Sequence, residues 1–113
     1  MAMVIDEVFD LLKSIKAVES ESEFARDWLG RSECYLRTMR FNCSEPSVAT
    51  IAICASKLHH YGRILLGQSQ HRWIGERFLT LSEQCHQQIN LKSRSTWLKD
   101  LRARDTATAA LNG

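Results

Sequence analysis

The stretch "EFARDWLGRSECYLRTMR", residues 23–40, places a Gly-Arg-Ser break between two short amphipathic runs. Apolar residues recur at helical spacing before the break, and Leu36 and Met39 continue that spacing after it. Gly30 is the residue type that ends a helix in a left-handed conformation, and Ser32 can cap the helix that follows. The pattern predicts two short helices joined by a tight turn, the second running from about residue 33 to 41.

The rest of the chain also has the periodicity of helices. There is one proline, Pro46, and no stretch alternates apolar and polar residues long enough for a strand. Ser20, with Glu23 three residues later, has the spacing of a capping box. Further helices are predicted within residues 3–16, 46–67 and 71–89, and a last one within residues 95–111, which Ser95 or Thr96 can cap. We therefore expect an all-α protein, a bundle of five or six helices.

Composition limits the class of protein. A chain of 113 residues with 44% hydrophobic and 25% charged residues is typical of one folded globular domain. No run approaches the ~20 apolar residues of a membrane span, and the start "MAMVIDEVFD" has acids where a signal peptide has lysine and arginine. We expect a cytoplasmic protein with no membrane partner.

The four cysteines do not have the spacing of a zinc site. Cys34, Cys43, Cys54 and Cys85 stand 9, 11 and 31 residues apart, without a Cys-x-x-Cys pair. We expect buried or half-buried free thiols, and no metal or other cofactor. The chain also lacks phosphate-loop, nucleophile-elbow and zinc-protease motifs, so we expect no catalytic residues and no enzyme.

Charge is distributed unevenly along the chain. Residues 1–30 hold seven acids and three bases, whereas residues 31–75 hold six bases and two acids. Such a basic block attracts polyanions, and the alternative is a set of arginines that are merely solvated on helix surfaces.

The helix pair fits the demands of a helix-turn-helix, in which the second helix enters the major groove of DNA. With Leu36 and Met39 facing inward, the outward set on or beside that helix is Ser32, Glu33, Cys34, Arg37, Thr38 and Phe41, flanked by Arg31 and Arg40. Arginine can bond the O6 and N7 of guanine together, and hydroxyls bond bases or phosphates. Glu33 can accept from cytosine N4, or it is simply an acid favoured by the helix dipole.

This stretch resembles the helix-turn-helix of the lambda-repressor-like (Cro and XRE) family. "EFARDWLGRSECYLRTMR" is similar to the family pattern "LA..LG.S...I....", and "EPSVATIAICASKL" is similar to its fourth helix, so the resemblance covers residues 20 to 66. Ala25 and Gly30 stand five steps apart where the family usually has four. The chain is also similar to small uncharacterised alphaproteobacterial proteins with a "WLGRS" core.

The resemblance implies a helix-turn-helix domain over residues 1–67 and a partner in double-stranded DNA. It implies base contacts from Ser32, Glu33, Arg37 and Thr38, and phosphate contacts from Arg31 and Arg40. The expected function is sequence-specific duplex DNA binding as a small transcriptional regulator.

A second candidate surface lies in the C-terminal extension, residues 68–113, which we expect to complete the core or form a dimer within one folded unit. An apolar seam recurs there at spacings of three and four, and its proposed interface residues are Trp73, Ile74, Phe78, Leu81 and Ile89. The seam either folds back on the first four helices or pairs with a second copy. If it binds another protein instead, the chain is a helical interaction module, an adaptor or an antitoxin-like partner.

Overall fold

The computed structural model describes the backbone of residues 3–112 and the side chains of residues 3–104. Within that range every regular element is helical, and the order is α1 (Val4–Ser14), α2 (Glu21–Trp28), α3 (Tyr35–Phe41), α4 (Val48–Leu66) and α5 (Arg72–Asn112), with a 3-10 turn at Ser69–His71 before α5. The five α-helices confirm the predicted all-α bundle.

Side-chain caps explain where two of the helices begin. The Ser20 hydroxyl accepts a hydrogen bond from the amide of Glu23 at 3.2 Å, as its spacing predicted, and α2 follows. Ser47 accepts in the same way from the amide of Thr50, also at 3.2 Å, and α4 follows. Each cap satisfies an amide that the first helical turn leaves without a backbone partner.

The predicted separate helix over residues 95–111 is wrong, because α5 runs without interruption for 41 residues. Thr96 does not cap a helix: its hydroxyl donates to the Lys92 carbonyl within α5, at 2.9 Å. No glycine or proline stands between Ile89 and Ser95, so nothing ends the helix there. At 1.5 Å per residue α5 is about 60 Å long, and it gives the molecule its 66 Å length.

The core is built where α4 and α5 pack antiparallel, with α1 and α2 against them. Its fully buried side chains include Val8, Leu12, Phe24, Leu29, Ile51, Leu58 and Leu81. Ser82 of α5 donates to the Ala55 carbonyl of α4 at 2.9 Å, inside this core. Further along, Lys92 of α5 pairs with Glu45, just before α4, at 2.7 Å.

Two glycines let α4 and α5 approach closely near the turn that joins them. A Cβ added to Gly75 would lie 2.7 Å from the Gly62 carbonyl oxygen and 2.7 Å from the Leu66 amide nitrogen. Gly75 therefore lies against the backbone of α4, which leaves no room for a side chain.

The C-terminal seam folds back on its own chain. Ile74, Phe78, Leu81 and Cys85 belong to the same buried cluster as residues of α1, α2 and α4. The first four helices and α5 thus share one core.

None of the described helices contains an apolar stretch that is long enough to span a bilayer.

Candidate nucleic-acid interface

The inner face of α3 fixes its position on the bundle. Leu36 is buried, and Met39 packs against the core from the next turn. The Tyr35 hydroxyl donates to the Thr50 hydroxyl of α4 at 3.5 Å, which adds a polar contact at the start of α3. These contacts leave the opposite side of α3 facing outward.

The turn between α2 and α3 is longer than the sequence predicted. Residues 29–34 separate the two helices, and Gly30 has the expected positive φ of 65°. The Arg31 amide donates to the Ala25 carbonyl at 3.0 Å, which closes the end of α2. The predicted start of the second helix near residue 33 is corrected to Tyr35, because the Ser32 carbonyl accepts from the Tyr35 amide in a turn and no side chain caps α3.

One exposed face runs along α3 and its first flanking residue. Cys34, Arg37, Thr38 and Phe41 are exposed and follow the spacing of a single helical face. Phe41 is 88% exposed, the largest value among the exposed large apolar residues of the described chain. An aromatic ring so open to water at the end of a short basic helix is available for contact with a partner.

Two of the six residues with predicted DNA contacts are engaged in ion pairs within the chain. Arg40 donates from Nη1 to Oε1 of Glu21 at 2.7 Å, and its Nη2 bonds the other carboxylate oxygen. Glu33 accepts from Arg26 at 3.1 Å. The hydrogen bond and charge of Arg40 hold the pKa of Glu21 below its ordinary value.

The other predicted contacts are open to solvent. Arg31 lies over the Tyr35 ring, 4.7 Å from its centroid. Ser32 is exposed in the turn, and Thr38 is exposed on α3. Arg37 is exposed beside Thr38, and the ion pairs of the described residues do not include it. The structure therefore brings Arg37 and Thr38 together on the outward face, while Arg31 and Ser32 lie beside it in the turn.

The predicted C-terminal interface does not form a common surface. Ile74 is 9% exposed, Phe78 3% and Leu81 0%. Ile89 packs against the same core, so among these five residues only Trp73, which is 59% exposed, presents a large apolar surface. The seam is buried because α4 and α1 cover it within one chain.

The cysteines divide into two pairs. Cys54 and Cys85 are buried, as predicted, and the neighbouring Cys85 thiol, together with burial, raises the pKa of the Cys54 thiol. Cys34 and Cys43 are exposed, because they lie at the two ends of α3, outside the core. The expectation of buried or half-buried thiols is therefore wrong for Cys43, whereas the exposure of Cys34 agrees with its place in the outward set. Among the described side chains, no three His, Cys, Asp or Glu residues lie close enough to hold a metal ion.

Comparison with known families adds one result to this geometry. Residues 5–98 match a family described as "Family of unknown function (DUF6626)". The chain belongs to the DUF6626 family. The DUF6626 match extends from α1 well into α5, so it includes the α3 face and the buried seam together. No curated protein and no solved structure matches the chain.

Proposed function

We propose that this protein binds duplex DNA sequence-specifically, with the outward face of α3 in the major groove, and acts as a small transcriptional regulator. The observation that carries the proposal is the division of α3 into two faces. Leu36 and Met39 hold its inner face on the bundle, while Arg37, Thr38 and Phe41 share an exposed outer face. A helix held by one side and open on the other is what major-groove recognition requires.

Each exposed residue has a chemical counterpart in DNA. Arg37 suits the two acceptors of guanine, Thr38 offers a hydroxyl, and Phe41 suits the methyl group of thymine. Arg31 and Arg40 are assigned to phosphates, which fix the register of the protein on the duplex. Ser32 and Glu33 lie in the turn before α3, where they would reach the edge of the groove.

When the protein binds DNA, Arg40 would exchange Glu21 for a phosphate. Its side chain is 61% exposed and that of Glu21 40% exposed, and ion pairs so open to water are weak. A DNA phosphate can therefore replace the carboxylate.

Because the proposed target is genomic DNA, we place the protein in the cytoplasm, as a binding protein and not as an enzyme.

The test begins with selection of bound sequences from a random duplex library, followed by titration of the selected duplex at several salt concentrations. Arg37→Ala should relax base preference at one position, whereas Arg40→Ala should weaken all sequences alike and lower the salt slope by about one. Arg77→Ala removes an exposed arginine of α5 and is the matched control, with little effect expected. No binding at ~50 mM salt would exclude the proposal, because electrostatic binding to DNA is strong at low salt.

A second candidate function, a protein-interaction module, is favoured by the distal part of α5. Leu91 is 66% exposed, Trp97 55% and Leu101 46%, beyond the core that α4 covers. Unlike the buried seam, these side chains are available to a partner. Recovery of one stable protein partner that Trp97→Ala releases, in a preparation that retains no DNA, would favour this function over DNA binding.

A further inference from the structure

The distal part of α5 carries an excess of positive charge. Residues 91–113 hold five bases and two acids. Lys92 pairs with Glu45, just before α4 begins, so the helix beyond Lys92 has no turn of α4 beside it. At 1.5 Å per residue, the part from Lys92 to Arg104 is about 18 Å long. A basic helix therefore projects past the bundle.

Most of these bases have no acid partner among the described side chains. Lys92 is the one base of residues 91–104 that the described ion pairs include. A shallow groove runs along this part of α5, and its lining residues are Leu91, Arg94, Ser95, Leu98, Lys99 and Arg102. Among the described side chains that lining holds three cations and no acid, so the groove complements an anion.

The bases lie on both flanks of the helix. Successive residues of an α-helix are about 100° apart, so Arg94 and Lys99 are about 140° apart around the axis. Leu98 and Arg102 lie between them, whereas Asp100 lies about 160° from Leu98, on the back of the helix. A helix with cations on both flanks fits a concave anionic surface that has two walls.

Duplex DNA offers such a surface. Its major groove is about 12 Å wide, admits an α-helix and has a phosphate strand along each wall. Leu91 and Leu98, between the flanks, would face the floor of the groove, where thymine presents its methyl group. A flat lipid surface would meet only one flank at a time, and a second copy of the same helix would bring like charges together. A duplex is therefore the occupant that the charges favour.

The basic segment also starts close to the helix that we assign to base contacts. Glu45, the partner of Lys92, stands four residues after Phe41, the last residue of α3. A duplex bound along α3 would therefore have the start of the basic segment near one end of that helix.

We propose that the distal part of α5 is a second DNA-contacting helix, in which Arg94, Lys99 and Arg102 bind phosphates on the two strands of a groove. This proposal rests on the proposed DNA binding and adds a contact that does not depend on sequence. It assigns to DNA the surface that the second candidate function gives to a protein partner.

The experiment titrates the whole chain against the duplex selected for α3 and against an unrelated duplex, each at several salt concentrations. The triple variant Arg94→Gln/Lys99→Gln/Arg102→Gln should lower the salt slope by about three on both duplexes and leave the preference between them unchanged. Between 50 and 200 mM salt, the wild type should then lose about 40-fold more affinity than the variant.

A matched triple variant controls for net charge. Lys13→Gln/Arg63→Gln/Arg77→Gln removes three exposed bases outside the distal part of α5 and should leave the slope close to that of the wild type. Circular dichroism of both triple variants checks that the helices are intact.

Hydroxyl-radical footprinting locates the contact on the duplex. About 18 Å of helix corresponds to about five base pairs at 3.4 Å each. The wild type should therefore protect about five more base pairs at one edge of the site than the distal triple variant does.

The outcomes separate this proposal from the proposed function. If the wild type binds DNA and the distal triple variant keeps its slope and footprint, α3 alone binds and the second contact is overturned. An equal fall in slope in both triple variants would overturn it too, because net charge would then be the cause. A wild type that binds no duplex would overturn both proposals. Binding to phosphatidylglycerol vesicles that only the distal variant loses, with its DNA slope unchanged, would give the segment to a lipid surface instead.

Discussion

Arg40 on α3 donates two hydrogen bonds to the carboxylate of Glu21, in the first turn of α2, although the two residues stand 19 positions apart. The pair joins the outer ends of the two helices of the proposed reading unit. The pair also engages Arg40, the cation that we assign to a DNA phosphate.

Glu21→Gln should strengthen binding of the protein to DNA. The neutral amide holds Arg40 less firmly and removes a negative charge near the phosphates, so affinity should rise. The salt slope should stay close to that of the wild type, because Arg40 contacts a phosphate in both complexes. Fluorescence anisotropy with a labelled duplex measures both. Glu7→Gln, which removes an exposed acid of α1, controls for net charge. Equal gains in both variants would mean that Arg40 makes no specific phosphate contact.

Acidification should break the same pair. Because the pKa of Glu21 is lowered in the folded chain, the pair contributes stability above its ordinary value of 4.5 and loses it as the pH falls through the folded pKa. In an NMR titration of side-chain carboxyls, Arg40→Met should raise the pKa of Glu21 toward 4.5. Arg37→Met is the control, since Arg37 acts on Glu21 only through its charge and should move that pKa less. An equal shift in both variants would contradict the hydrogen-bonded pair.

Gly75→Ala should lower the free energy of unfolding by about 1–3 kcal/mol, the usual cost of forcing extra atoms into a packed site. The added methyl would meet the backbone of α4 at 2.7 Å, and helices cannot yield as a flexible side chain can. Urea denaturation measures the change. At Gly67 the added methyl would meet the Ile64 carbonyl oxygen at 3.4 Å, an ordinary contact, so Gly67→Ala should be close to neutral. A stabilised Gly75→Ala protein, as helix propensity alone predicts, would show that α4 and α5 are not in close contact.

Gly30→Ala should also destabilise the protein, for a different reason. The space beside Gly30 is adequate, since a Cβ there would meet Ile53 at 3.5 Å, but the φ of +65° costs an L-residue about 1–2 kcal/mol. Gly30→Asn should cost less, because asparagine tolerates the left-handed region better than alanine. Thermal unfolding of both variants is the measurement. If asparagine costs as much as alanine, the backbone conformation is not the cause.

Local signals explain how much of the fold could be predicted. The hydroxyl of Ser20 and the left-handed Gly30 act within a few residues, so their roles follow from the sequence alone. The break predicted before residue 95 failed because serine and threonine are cap residues only where a helix has already been interrupted. With neither glycine nor proline before them, Ser95 and Thr96 simply continue α5.

The sequence predicted which residues of α3 face outward, but it did not predict which side chains pair with them. Helical spacing identifies Arg37 and Thr38 as outward-facing once Leu36 and Met39 are turned to the core. No such rule connects Arg40 to Glu21, because that contact depends on how α2 and α3 lie in space. The seam on α5 was likewise identified as apolar from its periodicity. That periodicity does not predict which surface covers the seam, and in the structure it is α4 of the same chain.

The length of α5 also determines how the molecule behaves in solution. A compact domain of 113 residues has a radius of gyration of about 13 Å, whereas this chain has one of 17.8 Å because α5 extends past the bundle. A single chain will therefore diffuse slowly for its mass of 13.0 kDa and elute early from a gel-filtration column, where it resembles a larger globular protein. Its molar mass is accordingly read from light scattering or sedimentation equilibrium, which do not depend on shape.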